Sequence, residues 1–340
     1  MSAAPRIGVI GAGSLGYHHV RLLRAMPGVR FAGFYEANRE RAARVAGELG
    51  VATLPSLDTL LDQVDAVTVV VPTAAHHAVA KRVLERGIHA LIEKPIAATL
   101  DEADDLLATA RASGALVQTG HVERFNRAIR AALPYIAEPR FVESNRLAPF
   151  NPRGADVAVV LDLMIHDIDL VRTLVRGAVT ELAAAGVPVL TPSVDIANVR
   201  VGFDTGAVAT ITASRVSRDR VRKLRIFQRS GYLSLDLAQG RGEFYRLRGD
   251  IDPLELANAP RQLEEFMERV PLDAPERESL ELEFESFVAA VGGHQPVIVT
   301  GQDGREALAL ALRIVREIER GLPALAGAAA MARASGSAGA

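Results

Sequence analysis

The sequence predicts an α/β protein of two domains, an N-terminal doubly wound parallel sheet followed by a C-terminal α/β domain with a mostly antiparallel open sheet. Three observations predict it. A short apolar strand over residues 6–10 runs straight into the glycine-rich turn GAGSLG at 11–16, and a helical pattern continues from there through Met26. Strands and helices then alternate as far as Gly120, the order of a parallel sheet whose crossovers are helices. Beyond Gly120 strands follow strands through short connections such as Asp204-Thr205-Gly206, the order of antiparallel pairing.

The first turn has the context of a dinucleotide-binding βαβ unit. A second strand at 29–35 ends at Glu36, twenty residues after Gly16, and a polar amphipathic helix at 38–49 follows. Gly11, Gly13 and Gly16 let the main chain turn and approach a pyrophosphate, Ser14 and Leu15 open the helix whose N-terminus faces the phosphates, and Glu36 meets the adenosine ribose. Strands at 66–71, 89–92 and 116–119 alternate with helices at 75–86 and 99–113. Ligands of such sheets lie beyond the carboxyl ends of the strands, which places Pro72, Thr73, His76 and His77 in one crevice loop and Glu93, Lys94 and Pro95 in the next. The competing reading of the histidines is the exposed first turn of a helix. For Lys94 it is a surface ion pair with Glu93. This domain is assigned residues 1–122.

The second domain, 123–321, opens with a helical pattern at 124–136 and a strand at 140–147. Strands at 179–189, 195–203, 207–214, 222–228, 232–236 and 243–247 precede helices at 275–291 and 304–320. Residues 322–340, rich in Ala, Gly and Ser, read as a flexible tail. Before the strands comes VVLDLMIHDIDLVRTLV at 159–175, a helix apolar around most of its circumference and therefore buried. Asp162, His166 and Asp169 stand at i, i+4 and i+7, on one face. Buried ionisable groups are costly unless paired, ligand-bound or retained for chemistry. Three readings of the stripe remain open here: a satisfied core histidine, part of a metal site, or a general base with a carboxylate one turn away.

Composition narrows the classes. The 340 residues are 49% hydrophobic and 24% charged, with a formal net charge of −2. That balance argues against a nucleic-acid or anionic-membrane partner, so any basic site is expected to be a pocket and not a face. The absence of cysteine excludes disulfides, thiol catalysis and thiolate metal sites. Only five residues precede the first strand, too few for a signal peptide, and the apolar runs fall short of the roughly 18 residues a span requires. A cytoplasmic protein is expected.

GAGSLG, VVVPTAAHH, EKP and the Asp-x-x-x-His of the striped helix, met in that order, resemble the glucose-fructose oxidoreductase, inositol dehydrogenase and rhizopine-catabolism (Gfo/Idh/MocA) family over about residues 5–321. The resemblance implies an N-terminal Rossmann domain and a C-terminal domain whose open sheet mediates homodimers or homotetramers. It also implies that Lys94, Asp162 and His166 line the substrate site beside the nicotinamide as the catalytic set, with no metal. GHVERFN at 120–126 and VVLDLMIHDIDL at 159–170 look most like a subgroup of nucleotide-sugar dehydrogenases. Those oxidise the 3-hydroxyl of UDP-N-acetylglucosamine, after which an aminotransferase makes a 3-amino sugar for lipid A.

Glu36 stands where many members have Asp; either carboxylate suits a ribose diol and opposes the 2′-phosphate of NADP, so NAD is expected, with Arg39 as the argument for NADP. Arginines flank the expected site: Arg124 and Arg127, Arg146 and Arg153, and Arg215, Arg218, Arg220 and Arg222. Such clusters suit a diphosphate, although any one of them can equally be a solvated loop charge. Arg124, Asn126, Arg153 and Asp169 are expected to touch the substrate. Free inositol, a hexose or a diol is the alternative substrate, and a non-catalytic dinucleotide sensor the alternative class.

Overall fold

The computed structural model describes residues 4–152, 157–249 and 266–336, with side chains through residue 322. Arg153 therefore lies outside the described residues. The chain forms two compact units, Met1–Phe125 with Arg277–Ala309, and Asn126–Glu276 with Leu310–Ala340.

In the first unit, β1 (Arg6–Ile10), β2 (Arg30–Tyr35), β3 (Ala66–Val69), β4 (His89–Glu93) and β5 (Val117–Gly120) form one parallel sheet. The order is β2-β1-β3-β4-β5, and Thr53 bridges to Phe34 on the outer edge. The crossovers are α1 (Ser14–Leu23), α2 (Arg39–Leu49), α3 (Leu57–Leu61), α4 (Thr73–Glu85) and α5 (Leu100–Ser113). Strands covered by helices on both faces are buried throughout, which is why β3 and β5 have no exposed residue. Local signals set the helix starts: the Asn38 side chain caps α2 through the Arg41 N–H, and Thr99 with Glu102 forms a reciprocal capping box on α5.

The domain boundary differs from the expectation of 122/123. The chain leaves the first unit after Phe125 and returns to it at 277–309. The return is made by α8 (Ser279–Val291), whose Leu280, Phe284 and Phe287 join the core of Ile7, Val9, Phe34 and Leu91. Burying a phenylalanine side chain is worth roughly 1.5–3 kcal/mol, so two such rings favour the return strongly. Then α9 (Gly301–Gly336) begins, and its helical backbone continues to Gly336, into the stretch expected to be a flexible tail. Alanine has the highest helix propensity, and the 324–334 stretch is rich in it.

In the second unit, β6 (Phe141–Leu147), β7 (Val179–Val187), β8 (Ile196–Phe203), β9 (Val208–Ser214), β10 (Val221–Gln228), β11 (Gly231–Asp236), β12 (Arg241–Leu247) and β13 (Met267–Leu272) form one sheet. Its order is β13-β12-β11-β10-β6-β9-β8-β7, antiparallel except for the β6/β9 pair. Burial alternates along β6 and β9, so one face is covered and the other is not. The covered face carries α7 (Ile165–Val175) against β6 and β9 and α6 (Arg127–Ala132) against β11 to β13. Phe141, Phe227, Tyr232 and Tyr245 stack in a row on the other face, with centroids 5.7, 5.4 and 4.7 Å apart. The helix expected at 124–136 is broken into 3-10 turns at Val122–Phe125 and Leu133–Tyr135 around α6, because Asn126 caps and Pro134 interrupts. Among the described residues no helix is long and apolar enough to cross a membrane.

Candidate functional site

The glycine turn of the first unit is built by absent side chains. Gly11 has φ of 91°, and a Cβ on it would lie 2.4 Å from the Val70 carbonyl oxygen. A Cβ on Gly16 would lie 2.1 Å from the Gly11 carbonyl oxygen, so this glycine is what lets α1 pack against the strand end. Gly13 is different: a Cβ there meets only the Arg41 guanidinium, at 3.8 Å. That open space lies at the N-terminus of α1, which has no side-chain cap. The uncapped N–H groups and the helix dipole suit the pyrophosphate of a dinucleotide, and Ser14 and Leu15 are exposed beside it. The Glu36 carboxylate accepts from the main-chain N–H groups of Ala12 at 2.8 Å and Asn38 at 2.9 Å, which aims it at the turn. Arg41, 3.9 Å from Glu36, is the arginine beside this carboxylate. Arg39 is exposed at the start of α2. These residues fit NAD, which they would hold by its pyrophosphate and adenosine ribose.

The crevice loops differ from expectation in two side chains. Pro72 and Thr73 start α4 and are at least partly exposed, but His76 is buried. Its Nδ1 lies 2.8 Å from the Pro95 carbonyl oxygen and its Nε2 2.9 Å from that of Val71, so it ties the two loops together and does not face a ligand. Burial pushes its pKa down, against the pull of the two carbonyls. His77 sits 2.6 Å from Asp105, which also pairs with Lys81. Glu93 likewise points inward: its carboxylate is 3.2 Å from His19 and accepts from the Lys94 N–H at 3.2 Å. Lys94 is half-buried. His19 and Arg41 are the residues the sequence reading missed in this unit. His19 shares the buried face of α1 with Val20 and Leu23, and a histidine on an apolar face was the available signal.

In the second unit the striped helix is not one α-helix. Val160–Met164 forms a π turn that leads into α7. A π turn bonds i to i+5 and holds more residues per turn than an α-helix, so residues four apart across it come closer to being in line. Asp162, inside the turn, and His166, just after it, are both half-buried. Asp169 is 1% exposed, buried where Asp162 and His166 are half-buried. Among the described residues no group of three or more His, Asp or Glu is placed to hold a metal ion.

Several arginines expected to meet a diphosphate are structural. Arg146, 3% exposed, donates to Asp167 through Nε at 2.6 Å and Nη2 at 3.2 Å, while the Ser144 hydroxyl donates to the same carboxylate at 2.9 Å. Arg215, 3% exposed, pairs with Asp195 at 2.8 Å and donates to the carbonyls of Val157 and Val194. Asp195 also accepts from the N–H groups of Val189, Leu190 and Thr191; burial alone would raise its pKa, but these donors hold it far below the usual carboxylate range. Arg127 pairs with Asp273 and Glu276, and Arg124, in the first unit, with Asp303 at 3.4 Å. Asn126, expected to touch the substrate, accepts from the Ala128 N–H and donates to the Leu237 carbonyl, which caps the start of α6. Arg218 and Arg220 are exposed at the β9–β10 connection.

Known proteins place this architecture. The model of an oxidoreductase family with an NAD-binding Rossmann fold matches residues 5–121, and that of the GFO/IDH/MocA C-terminal domain matches residues 136–234. The chain is 37% identical over 319 residues to UDP-N-acetylglucosamine 3-dehydrogenase of Acidithiobacillus ferrooxidans, covering 92% of this chain and 97% of that one. A solved structure of that enzyme superposes with a TM-score of 0.85 over 93% of this chain and 98% of the other. It is also 29% identical over 231 residues to scyllo-inositol 2-dehydrogenase (NAD(+)) of Bacillus subtilis, covering 62% of this chain and 68% of that enzyme. In fold alone it is similar to GenD2 from gentamicin A biosynthesis, solved in complex with NAD, at 21% identity and a TM-score of 0.78 over 94% of this chain and 96% of that one. The two family matches and the full-length likeness agree with the glycine turn, Glu36 and the division into two units: the chain is an oxidoreductase of the GFO/IDH/MocA family with an NAD-binding Rossmann domain.

Proposed function

We propose that the chain oxidises the 3-hydroxyl of UDP-N-acetylglucosamine with NAD as hydride acceptor. The observation that carries this reading is the 37% identity to a UDP-N-acetylglucosamine 3-dehydrogenase across 92% of the chain. NAD, when bound, supplies the hydride chemistry, and the chain's residues handle the proton and the charge. His166 takes the hydroxyl proton. Asp162, four residues before it, orients the ring and stabilises the imidazolium. Lys94 donates to the reacting oxygen and stabilises the alkoxide as it forms. A non-catalytic sensor would have no use for this set. With Arg146 and Arg215 committed to buried pairs and Arg124 and Arg127 to ion pairs, the cations assigned to the diphosphate are Arg153, Arg218, Arg220 and Arg222.

Glu36 favours NAD over NADP by like-charge repulsion of a 2′-phosphate, with Arg41 as the opposing cation. The uncovered sheet face with its aromatic row supports self-association as a homodimer or homotetramer. The enzyme acts in the cytoplasm, and an aminotransferase consumes the 3-keto product on the way to a 3-amino sugar for lipid A. The deciding experiment follows NAD reduction with UDP-N-acetylglucosamine, scyllo- and myo-inositol and glucose side by side, with mass spectrometry of the sugar nucleotide. Loss of two hydrogens from UDP-N-acetylglucosamine is the expected result. Brisk oxidation of inositol or glucose with none of the nucleotide overturns the substrate and leaves the dehydrogenase.

A further inference from the structure

Glu93 is a buried carboxylate one residue before the proposed catalytic lysine, 7% exposed at the end of β4. Its Oε1 lies 3.2 Å from His19 Nε2, at ion-pair distance though off the line of a good hydrogen bond. Its Oε2 accepts from the Lys94 main-chain N–H at 3.2 Å. Gly120 on β5 lies against the group so closely that a Cβ would stand 2.9 Å from the carboxyl carbon and from both oxygens. His19 has no exposed surface, packs edge-on against Phe284 with centroids 4.8 Å apart, and has no partner on Nδ1 among the described residues. Burial pushes the Glu93 carboxyl up, but the neighbouring His19 and Lys94 outweigh it and hold the group below its ordinary value, hence ionised.

A buried charge is costly, and a core with no other task would hold an apolar side chain there. The placement ties three things together: α1, whose N-terminus faces the pyrophosphate; the carboxylate; and the main chain of Lys94. On the far side of the lysine, His76 holds the Pro95 carbonyl. We propose that His19 is a positioning residue for the reaction: it fixes the ionised Glu93 carboxylate, which fixes the main chain of Lys94 and thereby aims its ammonium group at the reacting oxygen. This rests on the reading of Lys94 as that oxygen's donor. Misplacing a catalytic group by about 1 Å lowers turnover by up to roughly 10²-fold, so a residue that touches neither substrate nor cofactor carries a kinetic effect of that size.

The test uses the full chain, with UDP-N-acetylglucosamine or whichever alcohol of the panel reduces NAD. Turnover, KM and NAD affinity are measured for His19→Leu, His19→Gln, Glu93→Gln, Lys94→Met and the double variant His19→Leu/Lys94→Met. Expected for His19→Leu is a kcat lower by roughly 10- to 100-fold, with KM and NAD affinity within about threefold of the original. His19→Gln places an amide nitrogen near the position of Nε2 and recovers about tenfold of that loss. In the Lys94→Met background His19→Leu changes kcat by less than about twofold, because the group it positions is gone. Full turnover in both Glu93→Gln and His19→Gln with no loss in His19→Leu overturns the proposal, and so does an undiminished His19→Leu effect in the Lys94→Met background. If His19→Leu fails to fold, His19→Gln and Glu93→Gln decide it, each combined with Lys94→Met. Wild-type turnover by Lys94→Met itself removes the lysine's assigned role, and is distinguishable because it does not depend on His19.

Discussion

The glycine turn of the first unit and the His166 helix of the second both hold polar groups over an apolar interior, by opposite means. The turn is made of main chain and of missing side chains: Gly11 and Gly16 stand where any Cβ meets a carbonyl oxygen at 2.4 or 2.1 Å. The helix is set by side chains. Ser144 and Arg146, two apart on one strand, grip Asp167 and so fix the rotation of α7 with His166, the residue before it, turned to the half-exposed side. A site held by absent atoms tolerates no addition, and a site held by an ion pair tolerates no deletion. Chemistry and support can therefore be separated by substitution in the helix, while at Gly11 and Gly16 of the turn they share the same atoms.

The largest expected effect lies on the helix. His166→Asn keeps the ring's approximate volume and loses the base, so turnover should fall by roughly 10²–10⁴-fold with NAD affinity unchanged in calorimetry. Near-normal turnover would return His166 to a packing role. Next comes the grip itself: Asp167→Asn removes the buried carboxylate to which Arg146 and Ser144 both donate, which should cost about 3–5 kcal/mol of stability in chemical denaturation. A loss under about 1 kcal/mol would mean that the pair does not fix the helix.

The turn should respond more weakly to a single methyl group, and in a pattern that separates its glycines. Gly16→Ala overpacks α1 against the turn and should lower both stability, by about 1–3 kcal/mol, and NAD affinity. Gly13→Ala meets nothing closer than 3.8 Å, so stability should stay within about 0.5 kcal/mol while NAD binding alone weakens. Equal behaviour of the two variants would refute the distinction between packing and ligand space. The smallest effect is expected at Glu36. Glu36→Gln should reduce the preference for NAD over NADP by roughly tenfold, about 1.4 kcal/mol, read from the two cofactors' dissociation constants. An unchanged ratio would indicate that Arg41 sets cofactor choice.

Local chemistry made the first unit readable. A strand, a glycine turn, a helix start and a carboxylate after the second strand interact with their own sequence neighbours, so their spacing carries the geometry. Asn38 and Thr99 mark helix starts for the same reason. Edge strand β13 escaped notice because its residues, MERVPL, bury little and lean on β12 for their pairing. The arginines escaped for a different reason. Arg146 and Arg215 look like any loop-flanking cation until Asp167 and Asp195, 21 and 20 residues away, are folded onto them.

The sequence by itself determined the two kinds of sheet, the dinucleotide turn with Glu36, and the residue types available for proton transfer, because each is written in contacts a few residues long. Only the tertiary structure decided which unit α8 completes, which arginines are consumed in buried pairs, and that Glu93 and His76 face inward. It also decided the π turn at Val160–Met164 and the burial of Asp169. A helix's hydrophobic pattern says how much of its surface must be covered. The partner that covers it, and the rotation at which it is held, depend on long-range packing and paired charges that no stretch of sequence contains alone.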